Sequence, residues 1–149
     1  MRLLPALSRL AAVVALAAAP ALVEAQAREV FGTPGRAPLS PAIRVGNMVY
    51  ASGALPSGGA NADTTIQGQT KSALENLNRA FALAGTSLEH AVKCTVFLVE
   101  AADFQGMNQA YREFWTTVAP PVRTTVVVKA LVVPSAKLEI ECLAMMPPR

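Results

Sequence analysis

Few side chains in this 149-residue chain are candidates for proton transfer, nucleophilic attack or charge recognition. There is one histidine, His90, in a Ser-Leu-Glu-His stretch that reads as a surface turn before a strand. No His-Glu-x-x-His pattern and no paired Cys-x-x-Cys pattern occurs. Gly58-Gly59 lacks the following helix and lysine that a phosphate-cradling loop needs. The pattern implies no metal, nucleotide or organic cofactor. What remains is Arg123 and a carboxylate. Arg123 follows Pro120-Pro121-Val122 and opens a β-branched run, an unusual place for a charge. Its guanidinium is always ionised and presents a planar fork that matches a carboxylate. Two readings are open on the residues alone: a clamp for a ligand carboxylate, or a structural pair with Glu139 or Glu141.

The elements that must carry these residues follow from periodicity. Residues 28–42 hold Gly32, Pro34, Gly35, Pro38 and Pro41 and read as an extended arm with turns. Ile43 to Val45, a Gly46-Asn47 turn and the run to Ser52 read as a hairpin. Ile66, Thr70, Ala73, Leu74, Leu77, Ala80, Phe81 and Ala84 recur at helical steps, so a helix is expected over 65–84, capped by Asp63 or Thr64 and ended by Gly85. A strand over 91–99, a helix over 102–116 stopped by Pro120-Pro121, a strand over 123–133 and a last strand over 137–144 follow. In that last strand Leu138, Ile140 and Cys142 take one side, Glu139 and Glu141 the other. The order β-β-α-β-α-β-β predicts an α+β fold: one mixed sheet with two helices on one face. Val126-Val127-Val128 and Leu131-Val132-Val133 are apolar on both sides of a strand. Such runs belong to strands buried on both faces, which predicts oligomerisation through the open sheet face.

Composition narrows the class. Apolar residues make up 52% and charged residues 15%, enough for a core and unlike a disordered chain. The net charge of +3 is scattered with no Lys/Arg run, so no nucleic-acid partner is expected. Residues 1–27 read as a signal peptide: Arg2 and Arg9, an uncharged block from Leu10 to Val23, and the small-x-small site Ala25-Gln26-Ala27. Residues 28–149 are then a single exported domain, periplasmic or secreted, with no stable membrane insertion after cleavage. Export implies an oxidising compartment. Cys94 and Cys142 nevertheless read first as two buried small residues, with a single bridge as the second reading.

Five segments in order resemble the RidA/YjgF family. They are Val45-Gly46-Asn47-Met48-Val49-Tyr50-Ala51-Ser52-Gly53-Ala54-Leu55-Pro56; Ala73-Leu74-Glu75-Asn76-Leu77; Val92-Lys93-Cys94-Thr95-Val96-Phe97-Leu98; Met107-Asn108-Gln109-Ala110-Tyr111-Arg112-Glu113-Phe114-Trp115; and the stretch from Pro121-Val122-Arg123 to Lys137-Leu138-Glu139-Ile140-Glu141. The resemblance covers about residues 36 to 146. It implies a chorismate-mutase-like homotrimer with sites in the clefts between subunits. The family's carboxylate-binding arginine matches Arg123 and its water-orienting glutamate matches Glu139. Asn108, Ser52 and Gly53 match further substrate-binding positions. Two pocket positions depart from the pattern: Leu39 replaces the usual aromatic, and Thr125 stands where many members have cysteine.

The implied reaction is hydrolysis of reactive 2-imino acids or enamines, such as 2-iminopropanoate and 2-iminobutanoate, to 2-keto acids and ammonia, without a cofactor. Arg123 would hold the carboxylate bidentately and Glu139 would steer or deprotonate water. A trimeric module that binds small carboxylates without turnover is the alternative. Retention of Glu139 beside Arg123 favours the enzyme. A ribonuclease reading is disfavoured by the weak positive charge and the lack of a histidine acid–base pair. Cleavage after Ala27 removes two Arg and one Glu, lowering the formal net charge by one from +3 to +2. Intact-mass measurement on protein from the envelope fraction should therefore find a chain beginning at Arg28; full-length chain confined to the cytoplasm would refute export.

Overall fold

The computed structural model describes residues 26–33, 38–60 and 62–148. The proposed signal peptide lies outside them except for Gln26 and Ala27. No helix among the described residues is long and apolar enough to cross a membrane. The elements are β1 (Arg28–Phe31), β2 (Ala42–Val45), β3 (Met48–Ala51), α1 (Ile66–Leu83), β4 (Ala91–Leu98), α2 (Phe104–Arg112), β5 (Val122–Val127) and β6 (Leu138–Met145). The strands form one sheet in the order β1-β2-β3-β6-β4-β5, antiparallel except for the β4–β5 pair.

The expected α+β architecture is present, with three changes of detail. The arm contributes a strand: β1 pairs antiparallel with β2, Arg28 opposite Val45 and Phe31 opposite Ala42. Four residues with no apolar alternation do not announce a strand; the free edge of β2 supplies the partner. The cap of α1 is Thr65, whose side chain accepts from Gly68 N at 3.1 Å. Asp63 supports the cap from outside, accepting from Thr65 N and Oγ1 at 2.7 and 2.6 Å, which holds its carboxyl below the usual range. The second helix and the 123–133 strand are both shorter than expected. After Arg112 the chain tightens into i→i+3 hydrogen bonds through Trp115, whose Nε1 donates to Leu88 O at 3.1 Å. β5 ends at Val127; Val132 beyond it is 86% exposed.

Both helices pack on one face. α1 buries Ile66, Thr70, Ala73, Leu74, Leu77 and Phe81 against Val96, Leu98, Leu138 and Ile140 in one continuous core. Gln69, an unexpected buried polar residue, donates to Ser135 O at 3.1 Å and accepts from Lys137 N at 2.7 Å. Those two bonds fix the turn that launches β6. Across the sheet, Ile43, Tyr50, Leu143, Met145, Phe97 and Val126 share the opposite face by register. Tyr50, Met145 and Val126 are each at least 40% exposed, so no element among the described residues covers that face.

Cys94 and Cys142 are bonded, which corrects the first reading of two unpaired residues. The antiparallel register sets them directly opposite on the helix face, with Cα atoms 4.1 Å apart. Sequence cannot show that, because it depends on how β4 and β6 are aligned. The bridge closes a separation of 48 residues. On the chain-entropy account, the Cys94→Ala/Cys142→Ala double variant should unfold with about 4 kcal/mol less free energy in denaturant titration. Native protein unfolded without reductant should show no titratable thiol; two free thiols would refute the bridge.

Candidate active site

α2 and the start of β5 build a charged pocket. Arg123 stands in register with Cys94, so its side chain leaves the sheet on the helix face and runs beneath α2. Its Nη2 donates to Asn108 Oδ1 at 2.6 Å, and its Nη1 lies 3.7 Å from Met107 Sδ. The guanidinium carbon sits 4.6 Å above the Tyr111 ring. This cation–π contact fixes the plane of the fork. Tyr111 stacks in turn on Trp115, ring centroids 4.4 Å apart. Asn108, Tyr111, Arg112 and Trp115 follow one another at i, i+3, i+4 and i+7, so one flank of the helical stretch presents them all. With Pro120, Pro121 and Arg123 they line a cavity of about 720 Å³.

No carboxylate of the described residues pairs with Arg123. The structural pair with Glu139 or Glu141 is therefore not formed. Alternation explains why: Leu138, Ile140 and Cys142 face the helices, and Glu139 and Glu141 face the other way. Arg123 and Glu139 are also separated by the intervening β4 and by three positions of register, since Arg123 aligns with Cys94 and Glu139 with Phe97. Standard strand spacings put their Cα atoms roughly 14 Å apart.

The remaining expected site residues fall into two groups. Thr125 is two positions after Arg123, on the same face and half-buried. On the other face Glu139 packs against Gly53, where a Cβ would collide with Glu139 Oε1. The reciprocal bonds between Ala54 and Ile140, 2.8 and 3.1 Å, hold these neighbours together. Phe97, Val128, Leu131 and Val132 line the same shallow cavity. Next along the chain, Ser52 N and Oγ donate to Pro41 O and Ser40 O at 3.1 and 2.8 Å. Ser52 and Leu39 share a cleft with Arg28 and Ile43. One chain thus carries Arg123, Asn108 and Thr125 on one surface and Glu139, Gly53, Ser52 and Leu39 on another. His90 is half-buried instead of exposed, with its Nδ1 3.2 Å from Ser87 Oγ in the turn before β4, remote in register from both groups. Among the described residues no group of three His, Cys, Asp or Glu side chains could hold a metal ion.

Tyr111 is not among the expected site residues, although its position three after Asn108 signals a shared helix face. Its hydroxyl is buried without a hydrogen-bond partner among the described residues. Burial pushes the phenol up to about 12, with the nearby Arg123 charge opposing.

The profile of the family described as Endoribonuclease L-PSP matches residues 32–146. A mitochondrial protein of Schizosaccharomyces pombe, mmf2, is 38% identical over 110 residues, covering 72% of this chain and 86% of its own length. Reactive Intermediate Deaminase A of Arabidopsis thaliana chloroplasts is 34% identical over 110 residues, covering 72% of this chain and 58% of its own. The crystal structure of Escherichia coli TdcF with bound serine superposes with a TM-score of 0.72 at 30% identity, over 80% of this chain and 99% of that one. The chain belongs to the RidA/YjgF family. At this distance the family carries both the reactive-intermediate deaminase and the endoribonuclease names, and a RidA-type activity is its coarse functional class.

The phenol supplies a pH test. Its folded pKa lies above the ordinary value of 10, so the neutral form is favoured by folding. That contribution is complete below pH 10 and is lost as pH rises toward 12. Stability measured by denaturant titration should therefore fall more steeply over pH 10–12 in the wild type than in Tyr111→Phe. Equal slopes would refute the burial of the phenol.

Proposed function

We propose that the mature, exported chain is a hydrolytic deaminase of reactive 2-imino acids, working as a homotrimer whose active sites are shared between neighbouring copies. The observation that carries this reading is the unpaired Arg123 fork, pre-oriented by Asn108 and Tyr111 on one surface, while Glu139 waits on another. An ionised fork kept clear of protein carboxylates is available to a ligand carboxylate. The TdcF structure supports this, because its bound serine is a small amino acid. The exposed apolar face supports association, since covering it with a second copy removes it from water.

In the shared site Arg123 clamps the substrate carboxylate, with Asn108 holding the guanidinium and Thr125 beside it. This fixes the C=N carbon near the Ser52-Gly53 backbone and Glu139 of the neighbouring copy. Glu139 accepts a proton from water as its oxygen attacks that carbon. Glu139 passes that proton to the imine nitrogen to give the tetrahedral aminol, then carries the hydroxyl proton to the amino group as the C–N bond breaks, so ammonia and the 2-keto acid leave and the glutamate is regenerated. Much of the acceleration comes from positioning, because an imine carbon is already electrophilic. No metal or organic group enters any step. Leu39, smaller than an aromatic, widens the pocket wall on the Ser52 side.

Arg123→Lys keeps the charge and loses the fork, at a cost of roughly 1.5–3 kcal/mol or about 10- to 150-fold in kcat/KM. Glu139→Gln should spare carboxylate binding and lower kcat by roughly 10²- to 10⁴-fold. Turnover of freshly generated alanine, leucine and aromatic imines, with melting temperature and light scattering, checks both. Wild-type turnover in folded Glu139→Gln would refute the water-activating role. Mixing the two variants during refolding tests the sharing. Random assortment pairs an intact arginine with an intact glutamate in about one site in four, so about a quarter of wild-type activity should return. A mixture no more active than its parents would place both residues in one chain's site.

A further inference from the structure

A second cation lines the Arg123 cavity, and the proposed reaction gives it no part. Arg112 closes α2, four residues after Asn108. Residues four apart on a helix are neighbours, with Cβ atoms about 5–6 Å apart. Arg112 therefore stands one turn along from the residue that holds Arg123, and both arginines line the same cavity. The lining contains no acidic residue to neutralise them: Asn108, Tyr111, Trp115, Pro120 and Pro121 complete it. The neighbouring acid, Glu113, is taken by Lys71 at 3.3 Å. Arg112 forms no ion pair among the described residues. A basic residue in a last helical turn is favoured by the helix dipole, which accounts for a cation there. It does not account for the cavity, which two arginines and two aromatic residues line with no acidic residue among them.

Building on the imine-deaminase reading, we infer that this site is specific for imines of acidic amino acids, with the α-carboxylate on Arg123 and the side-chain carboxylate on Arg112. The aromatic floor of Tyr111 and Trp115 gives the intervening methylenes an apolar surface. Tyr111 stays neutral, since burial holds its phenol high, and so adds no negative charge against the ligand. Two positive charges held apart by the fold favour a dianion over a monoanion whose far end is a methyl group, because only the dianion satisfies both.

The test uses the full mature protein and freshly generated imines of aspartate, glutamate and alanine. The ratio of kcat/KM for the acidic imines to that for the alanine imine should exceed one in the wild type. It should fall roughly 3- to 10-fold in Arg112→Gln, because an exposed arginine keeps only part of the worth of a charge-assisted hydrogen bond. Arg112→Lys should restore part of the ratio. Calorimetric binding of glutarate against propionate runs in parallel. Turnover of the alanine imine with no acidic preference, or a ratio unmoved in folded Arg112→Gln, overturns this specificity and leaves the deaminase reading intact. No imine turnover, together with Arg112-dependent preference for glutarate, overturns the deaminase reading and keeps a dicarboxylate site. Absence of both turnover and glutarate preference overturns both.

Discussion

A guanidinium that finds no carboxylate among the described residues is the constraint around which this molecule is arranged. Arg123 is half-buried, and an ion removed from water without an opposite charge is costly unless other groups replace its hydration. Here the replacements are neutral: an amide oxygen from Asn108 and the π-face of Tyr111. They orient the fork and leave its charge uncompensated. That state persists because both supports stand on one flank of α2, and α2 is held by the contact from Trp115 to Leu88 O. The site is thus stored electrostatic potential in a shaped cavity, maintained by packing far from any reacting atom.

The pleat of the sheet supplies the second constraint. Successive strand residues point to opposite faces, so a residue aligned with Cys94 and one aligned with Phe97 cannot meet within a single sheet. Separating Arg123 and Glu139 in this way prevents them from quenching each other as an ion pair. It also makes the proposed chemistry conditional on assembly. On that proposal, folding of one copy and formation of the complete site are separate events.

The Cys94–Cys142 bridge ties β4 to β6, the two strands at the centre of these relations. β4 carries the register for Arg123 on one side and for Glu139 on the other. A covalent link there limits slippage of either half-site relative to its neighbour. It is compatible with the proposed export, since a disulfide persists outside a reducing cytosol.

Local chemistry made most of the fold legible in the sequence. Helical spacing located α1, the Gly46-Asn47 turn located the β2–β3 hairpin, and period-two alternation sorted β6 into a buried side and a carboxylate side. Arg123 stood out because a strand-opening charge among β-branched residues conflicts with burial, and the family's pattern picked out Glu139, Asn108, Ser52 and Gly53. Tertiary structure decided what depends on alignment between distant segments. β1 exists because β2 has a free edge, and Thr65 caps α1 because Asp63 folds back onto it. The cysteines bond because β4 and β6 pair in one register. The arginine and the glutamate part company because of which face each strand position takes, and Arg112 joins the cavity because α2 lies across the start of β5. Spacing along a chain encodes periodicity; it does not encode which strand lies beside which, and the division of the site follows from the latter.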